Sequence, residues 1–76
     1  MKLSELKINR CAIILFLNIP NVKVRRRMLE MGFTPGTMIK KTKIAPFGDP
    51  IGINVRGYEL CISIQEASYI FVEVMK

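Results

Sequence analysis

Histidine and tryptophan are both missing from the 76 residues, and cysteine occurs only twice. Without histidine, the usual general base and the Ser-His and Cys-His nucleophile pairs are unavailable. Cys11 and Cys61 stand far apart, with no C-x-x-C or histidine to complete four ligands, so no metal site is expected. Their expected state is a pair of free thiols, buried or half-buried, rather than a disulfide. The six carboxylates are scattered, and neither a G-x-x-x-x-G-K-[ST] loop nor a G-x-G-x-x-G turn occurs. Catalysis is not expected, and neither is a cofactor. Long apolar runs are also lacking: the longest, "CAIILFL" at 11–17, has the length of a strand and is far too short to cross a bilayer. "MKLSELKINR" contains no signal-peptide apolar core, so the expected location is the cytoplasm.

Half of the residues are apolar, enough for one small globular domain spanning 1–76 and against disorder. A chain this short buries only about 60% of its unfolded surface, so the core is thin. The net charge is +6 and unevenly placed. Residues 1–43 hold ten Lys/Arg against Glu5 and Glu30, whereas 44–76 carry a small acidic excess. Such asymmetry suits an anionic partner: nucleic acid, lipid headgroups or an acidic protein surface.

Along the chain, "LSEL" at 3–6 reads as a short docking turn with Leu3 and Leu6 on one side. "CAIILFL" reads as a strand, but its apolar residues do not alternate with polar ones. Either the fold covers both faces of this strand or a partner covers one. A helix is expected at about 21–31, with Asn21 as N-cap and Gly32 just past its end. At 100° per residue, Val22, Val24, Met28, Leu29 and Met31 share half of the helical wheel, opposite Lys23, Arg26, Arg27 and Glu30. Arg25 falls inside the apolar half and needs an internal partner or a snorkelling path. "TPGT" has the type II turn chemistry, with Pro35 and Gly36 at the central positions. Strands are expected at "MIKKTKIAP", "IGINV", "YELCISI" and "YIFVEV", with a two-residue turn at Arg56-Gly57 and a helical turn at "QEAS". Five short strands and one early helix fit a small, strongly bent antiparallel barrel, whose closure removes exposed edges.

The triple arginine "VRRR" at 24–27 is the densest charge. Its readings are a solvated face, a phosphate grip or a protein-docking surface. Nucleic acid is disfavoured, because Phe33 and Phe47 sit by turns where they can plug the barrel ends, and Tyr58, Tyr69 and Phe71 have packing roles on strands. The "APFGDPI" loop is stiffened by Pro46 and Pro50, with Gly48 and Asp49 supplying turn chemistry. Asp49 is either a turn cap or an ion-pair partner of Arg25, and Glu66 is the other carboxylate able to neutralise Arg25.

Four signatures in order, "VRRRMLEMGFTPGTMI", "APFGDPI", "VRGYELCI" and "EASYIFVE", resemble the FeoA family of ferrous iron transport proteins. The resemblance runs from about Leu3 to Glu73 and implies a mainly β, SH3-like barrel. The same barrel is similar to the C-terminal domain of iron-dependent repressors of the diphtheria toxin repressor type. It further implies a non-catalytic cytoplasmic accessory of ferrous iron uptake, peripheral to the inner membrane, whose partner is the FeoB GTP-dependent transporter. The alternative is a regulator acting on nucleic acid or a repressor. Arg25, Gly32, Phe33, Pro35, Gly36, Pro46, Gly48, Pro50 and Gly57 then read as structural. Arg26, Arg27, Phe47 and Asp49 read as partner-binding. Ile13, Leu15 and Phe16 depart from the family by making the first strand greasier, and they mark a partner or self-association surface.

Overall fold

The computed structural model describes residues 1–75. Its strands are β1 (Cys11–Leu17), β2 (Met38–Ile44), β3 (Ile51–Val55), β4 (Tyr58–Ile62) and β5 (Ile70–Val74). Two helices, α1 (Val22–Glu30) and α2 (Ile64–Ser68), interrupt them, and a single 3₁₀ turn spans Leu3–Glu5. All five strands form one antiparallel sheet in the order β4-β3-β2-β1-β5. The mainly β architecture with one early helix is therefore the expected one. The sheet is not hydrogen-bonded shut, however. β4 and β5 remain its edges, and α2 connects them.

The edge of β5 is covered by the start of the chain. The Met1 ammonium donates to the Val72 carbonyl at 3.0 Å, and the Val72 N–H donates to the Met1 carbonyl at 2.7 Å. Leu3 and Leu6 follow directly into the core, at 0% and 2% exposure, as the "LSEL" reading requires. They join one buried core cluster with Ala12, Ile14, Ile39, Ile53 and Val72.

The non-alternation of β1 has a geometric cause. Ala12 and Ile14 point inward and are buried. The pairing with β5 then slips between Ile14 and Phe16, so Leu15 is an extra residue and both Leu15 and Phe16 face outward. Such a bulge bends and twists the strand, as a small barrel demands. The outer face of β1 at Leu15 and Phe16 is thus left uncovered among the described residues. A second bulge at Thr42 bends β2, where Gly52 of β3 lies opposite Lys43. A Cβ at Gly52 would stand 2.6 Å from Lys43 Cγ and 2.9 Å from Thr42 Oγ1, so only glycine fits.

α1 begins and ends as its sequence predicts. Asn21 Oδ1 accepts from the N–H groups of Lys23 (2.9 Å) and Val24 (3.1 Å). At the other end, Gly32 at φ 107° carries the left-handed residue. The Phe33 N–H returns to the Met28 carbonyl and the Gly32 N–H to the Leu29 carbonyl, at 3.0 and 3.1 Å. This is the Schellman closure, completed by the buried contact partners Met28 and Phe33. "TPGT" closes with the Thr37 N–H donating to Thr34 O at 3.1 Å, with Gly36 at φ 88°. Arg56 and Gly57 both have positive φ, which gives the β3–β4 hairpin its tight two-residue turn.

Lys41 was hidden from sequence reasoning. It occupies an inward position of β2 with 4% exposure, and its Nζ donates to the Leu6 carbonyl at 2.7 Å. Burial holds its amine below the ordinary lysine pKa. The ammonium ties β2 to the segment that follows the 3₁₀ turn.

Candidate partner-binding surface

The helix arc read from the sequence is wider than the face α1 buries. Only Met28 is fully buried and Val24 half-buried; Val22 is 57% and Leu29 38% exposed. Arg25 sits beyond that narrow stripe, so it is exposed and, among the described residues, makes no ion pair. The expected internal tether at Arg25 is therefore corrected. Its neighbour Arg27 is the tied arginine: Nη2 lies 2.7 Å from Glu66 Oε2.

Glu66 does more than pair. Its Oε1 accepts the Ser63 N–H at 3.0 Å, while Ser63 Oγ accepts the Glu66 N–H at 3.0 Å. This capping box starts α2. Asp49 Oδ1 accepts the Ile64 N–H at 3.0 Å, so of its two readings the cap is realised, on α2 rather than within its own turn. The 45–50 loop, α2 and α1 are thereby interlocked through Asp49, Ser63, Glu66 and Arg27.

Above this lock α1 presents Val22, Arg25, Arg26 and Leu29 to solvent. Their i, i+3, i+4, i+7 spacing makes one stripe, two apolar side chains flanked by two guanidinium groups. Beside α1 lies a groove of about 460 Å³, lined by Ile19, Pro20, Asn21, Val24, Ser63, Gln65, Glu66 and Tyr69. The stripe suits a partner carrying carboxylates around a small apolar seat.

The remaining candidates separate. Phe47 does not plug the barrel: it is 99% exposed at the tip of the β2–β3 loop. The loop beneath it is fixed by Gly48 N–H to Ala45 O (2.8 Å) and Ala45 N–H to Pro50 O (3.0 Å), between Pro46 and Pro50. Phe33 does plug the core, at 0% exposure. Ile13, Leu15 and Phe16 lie on the outer sheet face, away from the arginines in sequence and on a different element. Tyr58, given a packing role, is 74% exposed. Sequence reasoning missed Val22 and Leu29, whose only signal was their distance on the wheel from Met28. Cys11 is half-buried and Cys61 exposed, both as free thiols. Among the described residues no three or more of Cys, Asp and Glu gather as a metal-ligand cluster. No helix among them is long and apolar enough to cross a membrane.

Comparison with known proteins places these features. The FeoA domain model matches residues 1–74. A fusion protein of Porphyromonas gingivalis, Fe(2+) transport protein A joined to the Fe(2+) transporter FeoB, is 35% identical over 75 residues, 99% of this chain. The chain spans only 9% of that relative's length. The solution structure of FeoA from Chlorobium tepidum superposes with a TM-score of 0.94 at 37% identity, covering 100% of this chain and 71% of that one. The zinc complex of Stenotrophomonas maltophilia FeoA, described as a prokaryotic SH3 domain protein, gives 0.85 at 26% identity over 96% of this chain and 89% of that one. T. acidophilum IdeR, at 21% identity and a TM-score of 0.86 over 99% of this chain and 34% of that one, shares the fold alone. With the family model spanning nearly its whole length and its SH3-like architecture matched, the chain belongs to the FeoA family of ferrous iron transport proteins.

Proposed function

We propose that the chain is a non-catalytic interaction module of ferrous iron uptake that docks on an FeoB-type transporter and modulates it. The observation that carries this reading is the fusion relative, in which the two activities share one polypeptide. Covalent joining of two modules raises their effective concentration, and it is tolerated where the two already work in contact. The docking surface is the solvent-facing stripe of α1, with Arg25 and Arg26 as the cationic contacts and Val22 and Leu29 as the apolar ones. Phe47, on its braced loop, is a second anchor, since an isolated rigid aromatic fills a pocket at little entropic cost. Arg27, engaged by Glu66, holds the helix rather than the partner. The module works in the cytoplasm, at the inner face of the membrane, where the transporter's GTP-binding part lies.

Calorimetric titration of the chain against the isolated GTP-binding part and against the detergent-solubilised full transporter tests the proposal. Arg25→Glu with Arg26→Glu is expected to weaken binding at least about tenfold, since like charge then faces the acidic partner. Binding that is absent for both forms of the transporter, or unaltered in the doubly reversed variant, would overturn it. A DNA-retention assay should show no tight, steeply salt-dependent complex of the kind phosphate contacts produce.

A further inference from the structure

The outer face of β2, β1 and β5 carries exposed apolar side chains that no other part of the described residues covers. Strand register fixes their neighbours. Met38, Ile13 and Glu73 lie abreast across the three strands. One row away, about 6.8 Å along the strand, Lys40 lies beside Cys11, and Met75 follows through its N–H to the Cys11 carbonyl. On the other side Phe16 lies against Phe71, the rings stacked with centroids 4.7 Å apart and planes at 12°. The bulge turns Leu15 and Phe16 outward together, at 44% and 50% exposure, and Met38 at 54% and Met75 at 41% are exposed on the same face.

Two charges select the occupant. Glu73 is the carboxylate at the β5 end of the Met38–Ile13–Glu73 row, and Lys40 stands diagonally across β1 from it. Among the described residues neither has an ion-pair partner. An anionic bilayer would be repelled by Glu73 on the β5 side of the patch, and a wholly apolar partner would desolvate it without compensation. A second copy of the chain does neither. The midpoint of the Lys40–Glu73 diagonal falls on β1, between Cys11 and Ile13. A two-fold axis through that point, parallel to the sheets and running along the Met38–Met75 diagonal, sets each Glu73 against Lys40 of the other copy. The same operation brings Met38 and Met75 onto their own equivalents, as an isologous contact requires. Two sheets then pack face to face, the usual solution for paired β layers.

We propose that this face is a self-complementary interface through which two copies of the chain pair. The apolar area amounts to a few hundred Å², below the roughly 800 Å² per partner of a standard stable complex. The pair is therefore weak, with a dissociation constant on the order of 10–100 μM. It uses residues other than the α1 stripe, so its success or failure is independent of transporter docking.

Sedimentation equilibrium at about 0.15 M salt, where long-range repulsion between the basic chains is screened, tests it over a concentration range reaching about tenfold above that constant. The mass of the wild type should climb from 8.7 kDa toward twice that value. Glu73→Lys and Lys40→Glu should each weaken pairing at least about tenfold, and the double reversal should recover it to within about threefold. Both positions are exposed, so circular dichroism should show each variant folded as the wild type. A wild type that stays monomeric throughout would overturn the proposal. Dimerisation indifferent to the single reversals, or a double reversal no better than the singles, would do the same. So would binding of the monomer to phosphatidylglycerol vesicles that Glu73→Lys strengthens, because the face would then belong to lipid.

Discussion

Glu66 joins two kinds of interaction that substitution can separate. One carboxylate oxygen closes the capping box of α2, and the other holds Arg27 of α1. The ion pair is open to water, with side chains 60% (Arg27) and 26% (Glu66) exposed, so it contributes about 0.5 kcal/mol, within the range of exposed pairs. The cap is the larger part, about 1 kcal/mol. Glutamine at 66 retains an oxygen for the Ser63 N–H and loses only the charge, whereas alanine loses both. For a domain of this size 1 kcal/mol moves Tm by about 4–8 °C. Glu66→Gln should therefore lower Tm by about 2–4 °C, and Glu66→Ala by about 6–12 °C. Arg27→Ala should match the glutamine variant, because the freed carboxylate is hydrated and still caps. Thermal unfolding followed by circular dichroism measures all three. In 0.5 M salt the glutamine deficit should shrink toward zero while most of the alanine deficit remains, since screening acts on the pair and not on the cap. A glutamine variant as unstable as the alanine one, or an Arg27→Ala loss equal to that of Glu66→Ala, would refute the assignment.

Gly52→Ala should cost about 1–3 kcal/mol by chemical denaturation, because the new methyl group meets Lys43 Cγ and Thr42 Oγ1 at the bulge. An unchanged midpoint would mean that the bulge yields freely. For Lys41 the sign follows from its lowered folded-state pKa: the unfolded chain keeps this proton up to about pH 10.5, the folded one releases it earlier. Stability then rises with pH through the folded pKa toward 10.5, and Tm of the wild type should gain on that of Lys41→Met over that window. Parallel curves would remove the burial argument. Arg25→Met should change stability by less than about 0.5 kcal/mol, as for a surface position without a partner, and a larger loss in urea unfolding would restore the internal tether.

Much of the fold was legible because local chemistry and global arrangement agree. Asn21, Gly32, Pro35, Gly36 and Gly57 each carry a backbone requirement that few residue types meet well, and each sits where that requirement arises. Strand ends were less legible. "YELCISI" alternates through Ile64, yet β4 stops at Ile62 because Ser63 is taken as the cap of α2. Lys41 and the two bulges were not legible at all. A bulge is a count of residues against a partner strand, and one strand alone does not contain that count. The candidate site was half legible: the two carboxylates suspected of holding an arginine both proved engaged, but on Arg27 and the Ile64 N–H instead of Arg25. The helical wheel ranks positions by direction and says nothing about how wide a face the neighbouring sheet can cover.

That width governs what the arginines can do. Two inward side chains, Val24 and Met28, are all that α1 commits to the core, a consequence of a chain too small to surround its helix. A helix so lightly buried would be free to shift, and cationic side chains on it would bind a partner only after being ordered. The Asn21 cap and the Schellman closure remove that freedom at the two ends of the exposed stripe, and the Arg27–Glu66 contact ties its C-terminal half to α2. Three adjacent arginines thus divide by direction. Arg27 turns toward α2 and fixes the frame, while Arg25 and Arg26 stand on it with Val22 and Leu29 between them. The outer face of β1 at Leu15 and Phe16 is likewise uncovered among the described residues. Apolar surface left uncovered among the described residues is expected to lie where a partner or a second copy completes the burial.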